Sequence, residues 1–140
     1  DVARLDYALP VVDVDIRRNK TANMWPLFRE YHYLDRGINS ASQFFVAWWN
    51  SMPIGCVAVT GFPGAVRQGT AKREHRTVIM PDFQGLGVGT RVSNAVARII
   101  FAHEGKFYYS RTAHPRFGLH RERSPLWVGT NGNLGFLALK

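Results

Sequence analysis

Residues 73–103 read REHRTVIMPDFQGLGVGTRVSNAVARIIFAH, and the reading of this stretch decides the fold. It parses as a strand, a tight glycine-rich turn and a helix. The apolar run Val78-Ile79-Met80 closes the strand, and Pro81-Asp82 punctuates it. The turn holds Gln84-Gly85-Leu86-Gly87-Val88-Gly89, a Q-x-x-G-x-G pattern. Glycines serve where a backbone takes unusual dihedrals or approaches a ligand closely. Val92, Ala95, Val96, Ile99 and Ile100 then recur at helical spacing, and Gly105 follows as a stop. A glycine loop at a helix start aims unpaired N–H groups and the positive end of the helix dipole at one point. That geometry suits a phosphate or pyrophosphate.

Three phosphate loops compete for the pattern, beside the plain alternative of a glycine turn with no ligand. The Walker loop ends in Gly-Lys-Ser/Thr, and Gly89-Thr90 lacks the lysine. The dinucleotide fingerprint is G-x-G-x-x-G with an acidic residue on a later strand; Gly85-x-Gly87-x-Gly89 is spaced differently and only Glu104 follows. The stretch resembles motif A of the GNAT superfamily of acyl-CoA-dependent N-acyltransferases, in which Q/R-x-x-G-x-G/A binds the pyrophosphate of coenzyme A. The resemblance implies that the N–H groups of Gln84, Gly85, Leu86, Gly87, Val88, Gly89 and Thr90 hold the pyrophosphate. It also implies that the backbone of Val78, Ile79 and Met80 bonds the pantetheine arm, and that the cofactor is acetyl-CoA or another acyl-CoA.

The 140 residues suffice for one domain with a substantial core, taken here as residues 1–140. Apolar residues at 46% and charged residues at 20% describe an ordinary globular protein. No run approaches a membrane span and no signal peptide is visible, so the expected setting is cytoplasmic, with no membrane partner. The single Cys56 excludes an intramolecular disulfide and a cysteine metal cluster. The histidines show no H-x-x-x-H pair, so no metal is expected. The net charge of +8 exceeds what one anionic cofactor calls for and points to polyanionic company.

In chain order, Val11 to Arg17 alternates apolar and polar as a first strand. A helix capped at Thr21 or Asn23, with Pro26 in its first turn, runs to Leu34. Gln43–Trp49 and Ile54–Thr60 form a hairpin across Asn50-Ser51. Lys72–Met80 is the fourth strand and Phe107–Thr112 the fifth; Ser124–Val128 is a sixth. Glycines and asparagines from Gly129 onward predict a loosely held tail over 129–140.

The order β-α-β-β-β-α-β resembles a GNAT domain over nearly the whole chain. The implied fold is α+β: a central mixed, mostly antiparallel sheet flanked by helices, with the fourth and fifth strands splayed apart around the pantetheine arm. A narrower resemblance rests on Phe28-Arg29-x-Tyr31-His32-Tyr33-Leu34, FFVAWWNSMPIGCVAV over 44–59, the 81–89 turn and Thr112-Ala113-His114-Pro115. These blocks are similar to a GNAT subgroup met in phage and mobile-element proteins, itself similar to the Mom-type proteins that modify DNA adenine. Tyr31 and Ala113 depart from that subgroup's usual residues.

Acyl transfer to an amine needs a deprotonated nucleophile and a stabilised leaving thiolate. Glu74 is the first candidate base: it lies ten residues ahead of Gln84, where several GNATs carry a catalytic glutamate. Simple alternation places Glu74, Arg76 and Val78 on one face of the strand. His32 is a second candidate, since an imidazole titrates near neutrality. Ser110 and His114 lie at the end of the fifth strand, and Ser110 or Tyr109 is placed to protonate the leaving thiolate. Arg73 and Arg76, with Arg111, Arg116, Arg121 and Arg123, form basic clusters that would flank one cleft if the fourth and fifth strands are neighbours. Trp48, Trp49, Phe117 and Trp127 interleave as stacking candidates. The sequence thus predicts an N-acyltransferase acting on an amine acceptor in a ternary complex. Alternatives are Mom-like modification of nucleic-acid bases, with DNA or tRNA as partner, and a non-catalytic module of the same fold.

Overall fold

The computed structural model describes residues 14–19, 24–31, 37–38, 41–61, 69–85, 87–111, 123–130 and 135–138. Among the described residues seven strands are formed: β1 (Asp15–Asn19), β2 (Gln43–Trp49), β3 (Met52–Gly61), β4 (Ala71–Ile79), β5 (Phe107–Arg111), β6 (Trp127–Thr130) and β7 (Gly135–Ala138). Two helices accompany them, α1 (Trp25–Phe28), which runs into a 3-10 turn at Arg29–Tyr31, and α2 (Val88–Glu104). The strands make one sheet in the order β1-β2-β3-β4-β5-β7-β6. Every adjacent pair is antiparallel except β4 and β5, which are parallel. The sheet is mixed and mostly antiparallel, as expected.

The run FFVAWW alternates between faces and finds apolar cover on both, which is why it is continuously hydrophobic. Phe45 and Ala47 face α2, joining Ile54, Val57 and Val59 of β3 and Val92, Val96, Ala97 and Ile100 of the helix. Phe44 and Val46 face the opposite way, with Cys56, Ala58 and Val78 beneath Trp25 and Phe28 of α1. The two tryptophans that end β2 divide likewise. Trp48 packs on the α1 side, while Trp49 sits on the α2 side with its ring edge-on to Phe83 at 5.6 Å.

Two features depart from the sequence reading. The tail expected to be loose contributes β7, which inserts between β5 and β6 and pairs with both. The glycines at 129 and 135 lie within these strands rather than in a free end. A β-bulge also interrupts β4: Ala58 pairs with Arg76 but Val59 pairs with Glu74, so His75 is an extra residue. One inserted residue moves all that precede it to the other face. Glu74 lies opposite Val59 on the α2 face, whereas Arg76 and Val78, opposite Ala58 and Cys56, belong to the α1 face.

The splay is present. Among the described residues, β4 and β5 pair through Ala71, Lys72 and Arg73 against Phe107, Tyr108 and Tyr109. Beyond Arg73 the described residues of β5 add no further rung to β4, while β5 continues against β7 to Arg111. No described helix is long and apolar enough to cross a membrane.

Candidate functional site

The site lies where β4 leaves β5 and α2 begins. A 3-10 turn over Pro81–Phe83 carries the chain off the sheet, with Phe83 N donating to Met80 O at 2.9 Å and Gln84 N to Pro81 O at 3.2 Å. Proline there loses no needed donor. Gly85 and Gly87 both take left-handed backbones, at φ 82° and 74°. Chain neighbours aside, a Cβ built on either would meet no described protein atom within 4 Å, so among the described residues the space over both glycines is open. Gly87 is the N-cap of α2, and the first helical bond runs from Arg91 N to Gly87 O at 3.3 Å. The amides of Val88, Gly89 and Thr90 precede that bond and have no helical acceptor.

From below, the loop is fixed by packing: Phe83 and Val88 rest against the α2-side core, and Phe83 meets Trp49. The Gln84 side chain folds back, its Nε2 donating to Ile79 O at 2.8 Å. Of the three β4 residues expected to meet pantetheine, Met80 already donates its N–H to Ile54 O at 2.8 Å, on the β3 side. In an antiparallel ladder, backbone polar groups alternate between the two edges. Met80 and Val78 therefore bond toward β3, and the open edge carries the backbone groups of Thr77 and Ile79. Leu86 lies outside the described residues.

An acyl-coenzyme A, implied by the resemblance, fits this arrangement. Its pyrophosphate would meet the free amides of a 17-residue helix, across glycines with nothing above them. Its pantetheine amides would run along the splayed edge of β4, beyond the last β5 rung among the described residues.

The candidate chemical groups divide by face. Glu74 is buried, 9% exposed, on the α2 face. Ser93 of α2, fully buried, donates its Oγ–H between the two Glu74 carboxylate oxygens, 3.2 Å from each. Thr77 Oγ1 donates to Glu74 Oε1 as well. Tyr109 neighbours Arg73 across the last paired rung and, being next to the α2-side Tyr108, belongs to the α1 face. Ser110 is 3% exposed, alternates back to the α2 face and pairs with Phe136 of β7. His32 and His114 lie outside the described residues.

Among the arginines, Arg73 is exposed at the root of the splay. Arg76 is committed locally: its Nη1 donates to His75 O at 2.9 Å and lies 3.3 Å from His75 Nδ1, and its Nε donates to Gly37 O at 3.1 Å. It thereby ties the bulge to the segment after α1. Arg111 ends β5 and Arg123, exposed, precedes β6; Arg116, Arg121 and Phe117 lie outside the described residues. Trp127 is no stacking surface. It is buried against Tyr108, and its Nε1 donates to Asn94 Oδ1 at 2.6 Å.

Ser93 and Thr77 were not singled out in the sequence, although Ser93 carried a signal. It falls on the stripe 93-97-100 of a helix whose other members there are apolar, and a hydroxyl in such a stripe needs a buried partner.

The family profile for acetyltransferases of the GNAT type matches residues 14–121. No curated protein matches the sequence. Among solved structures, an IAA acetyltransferase from Bacillus cereus is similar at TM-score 0.64 and 11% identity, over 91% of this chain and 99% of that one. AtaTR bound with acetyl-CoA is similar at TM-score 0.63 and 12% identity, over 89% and 92%. A KacTA–DNA complex is similar at 0.59 and 11%, over 89% and 92%. At such identities the likeness is one of fold, while the profile match spans most of the sequence. The chain belongs to the acetyltransferase (GNAT) family, the N-acyltransferases that draw on acyl-coenzyme A.

Proposed function

We propose that this chain transfers an acetyl group from acetyl-CoA to an amine by direct attack within a ternary complex. The observation that carries the reading is the left-handed Gly85 and Gly87 at the head of α2, set beside the stretch of β4 that splays from β5 after Arg73. The free amides of Val88, Gly89 and Thr90 bind the pyrophosphate, and the Thr77 and Ile79 backbone steers the pantetheine toward the root of the splay. The bound thioester supplies an electrophilic carbonyl and a thiolate leaving group. Tyr109 is the proton donor to that thiolate in this reading. It is half-buried, lies where the two strands part, and carries a phenolic O–H able to donate. Ser110, buried beneath α2, is less accessible to the same atom. The structural likeness to AtaTR with acetyl-CoA bound supports the choice of donor.

The test is calorimetric titration with acetyl-CoA at low and moderate salt, followed by thiol release with small amines, peptides, tRNA and DNA as acceptors. Binding with acceptor-dependent thiol release is expected. No binding at either salt would overturn the proposal.

A second reading places the acceptor on a nucleic acid, whether a base, as in Mom-type modification, or an amine carried by tRNA. The α1 face presents Arg73 and Tyr109, and at its far edge a concavity of about 340 Å³ lined by Asp15, Arg17, Trp48, Asn50 and Ser51. There the Arg17 guanidinium stands 6.0 Å from the Trp48 ring centroid. With a net charge of +8, this face suits a polyanion that also stacks. Binding of tRNA or DNA whose affinity falls steeply with salt is the expected sign, and salt-independent binding would speak against it.

A further inference from the structure

We propose that Glu74 is a positioning residue rather than the proton acceptor: it fixes the start of α2 to β4 at the root of the splay. The inference rests on the acyltransferase reading for its consequence, but on geometry for its substance. Glu74 is the first β4 residue beyond the last β5 rung, so it occupies the point from which the cleft opens. Its side chain is turned away from the α1 face by the His75 bulge. There it meets Ser93, in the second turn of the helix whose first turn offers the pyrophosphate amides.

A buried carboxylate is retained where hydrogen bonds compensate its lost hydration. Here Ser93 Oγ bridges both oxygens from the helix, and Thr77 Oγ1 adds a donor from the same strand. Thr77 is itself one of the residues whose backbone lines the open edge. One carboxylate therefore joins the two halves of the cofactor cradle, the helix start and the splayed strand. Its effect on the acyl group is to set the distance between the anchored pyrophosphate and the cleft root. Tyr109 and Arg73 lie on the opposite face, so an amine approaching beside them does not meet the Glu74 oxygens.

The test compares Glu74→Ala, Glu74→Gln and Ser93→Ala with the unaltered chain. In the chain without cofactor, hydrogen exchange of the Arg91–Ala95 amides is expected to be about tenfold faster in Ser93→Ala, with Ile99–His103 unchanged. For acetyl-CoA, affinity is expected to fall about tenfold in Glu74→Ala and about threefold in Ser93→Ala. Glu74→Gln, whose amide oxygen still accepts from Ser93, is expected to recover most of that loss. Unchanged exchange in Ser93→Ala would overturn the proposal whether or not acetyl-CoA binds. So would Glu74→Gln binding acetyl-CoA normally while losing turnover about a hundredfold together with the acid limb of its pH–rate profile, the signature of a general base. An unaltered chain that binds no acetyl-CoA would sink the acyltransferase reading alone and leave the exchange result to decide this one.

Discussion

Replacing Gly87 separates the fold from the cofactor site. The residue sits at φ 74° and ψ 9°, a left-handed conformation that costs a side-chain-bearing residue about 1–2 kcal/mol. A Cβ there would meet no protein atom within 4 Å, so no steric term adds to that cost. Gly87→Ala and Gly87→Trp should both lose about 1–2 kcal/mol, a modest part of the 5–15 kcal/mol typical of a domain. The melting midpoint should fall by only about 3–6 °C. Binding behaves differently, because a tryptophan side chain would rise into the space above the amides of Val88, Gly89 and Thr90. Charge-assisted hydrogen bonds contribute about 1.5–3 kcal/mol each. Losing two of them weakens acetyl-CoA by about 3 kcal/mol or more, a factor of at least about a hundred. Gly87→Ala, with one methyl in open space, should lose about tenfold or less. Calorimetry with acetyl-CoA, paired with thermal melts of the same samples, measures both quantities. Unchanged affinity in Gly87→Trp would refute the assignment of the loop. A collapse of the fold in Gly87→Ala would refute the claim that the space over it is open.

Three other outcomes follow from the packing. Gly55→Ala places a Cβ 2.6 Å from Ile79 Cδ1, which can move, and 2.8 Å from Val78 O, which is backbone and cannot, so urea melts should show a loss of about 1–3 kcal/mol; wild-type stability would mean that β3 and β4 can separate there. Cys56 is fully buried, and burial pushes its thiol far above the ordinary 9.0. The unfolded chain therefore gives up this proton first, so the thiol's contribution to stability is intact below about pH 9 and falls as pH rises beyond it. Iodoacetamide at pH 8 should accordingly label Cys56 only on unfolding, and rapid labelling of the native chain would contradict the burial. Truncation before Gly135 removes β7 and leaves the β5 edge beyond the root of the splay without its partner; an insoluble or non-cooperative product is expected, and a cooperative melt close to that of the full chain would show that the tail is dispensable.

The central elements were legible because each carried a strong local signal. FFVAWW between turn residues can hardly be anything but a buried strand, and the 3.6-residue stripe closed by Gly105 marks α2; Gly105 indeed takes the left-handed cap at φ 63°. The tail was not legible for a physical reason. Gly135 to Ala138 has little strand propensity of its own, and what orders it is the free edges of β5 and β6 on either side, which no local window contains. Trp127 was misread in the same way. Its indole has a partner in Asn94, thirty-three residues away on the face of α2, and proximity of that kind leaves no trace in spacing.

The bulge at His75 shows where reading by period fails and what the failure conceals. A strict two-residue alternation along β4 sets Glu74 beside Arg76 and Val78, facing α1. That placement makes a glutamate ahead of the glycine loop look free to meet an acceptor. With His75 inserted, Glu74 shares a face with Thr77 and meets Ser93, while Arg76 remains on the α1 side and closes the bulge through His75 O and Gly37 O. The same inserted residue comes two positions after the last β4–β5 rung at Arg73 and Tyr109. Bulges bend and further twist the strand that carries them, and one at this position turns β4 away as β5 continues straight against β7. The departure of the two strands is then a consequence of a single extra residue, which the bulge absorbs so that Glu74 stays opposite Val59. If so, deleting His75 should narrow the splay, seen as lost acetyl-CoA binding, while Glu74, then directly before Arg76 in regular alternation, keeps its place opposite Val59 and its contact with Ser93, seen as unchanged exchange in the second turn of α2. Undiminished acetyl-CoA binding in that variant would mean that the bulge is not what opens the cleft.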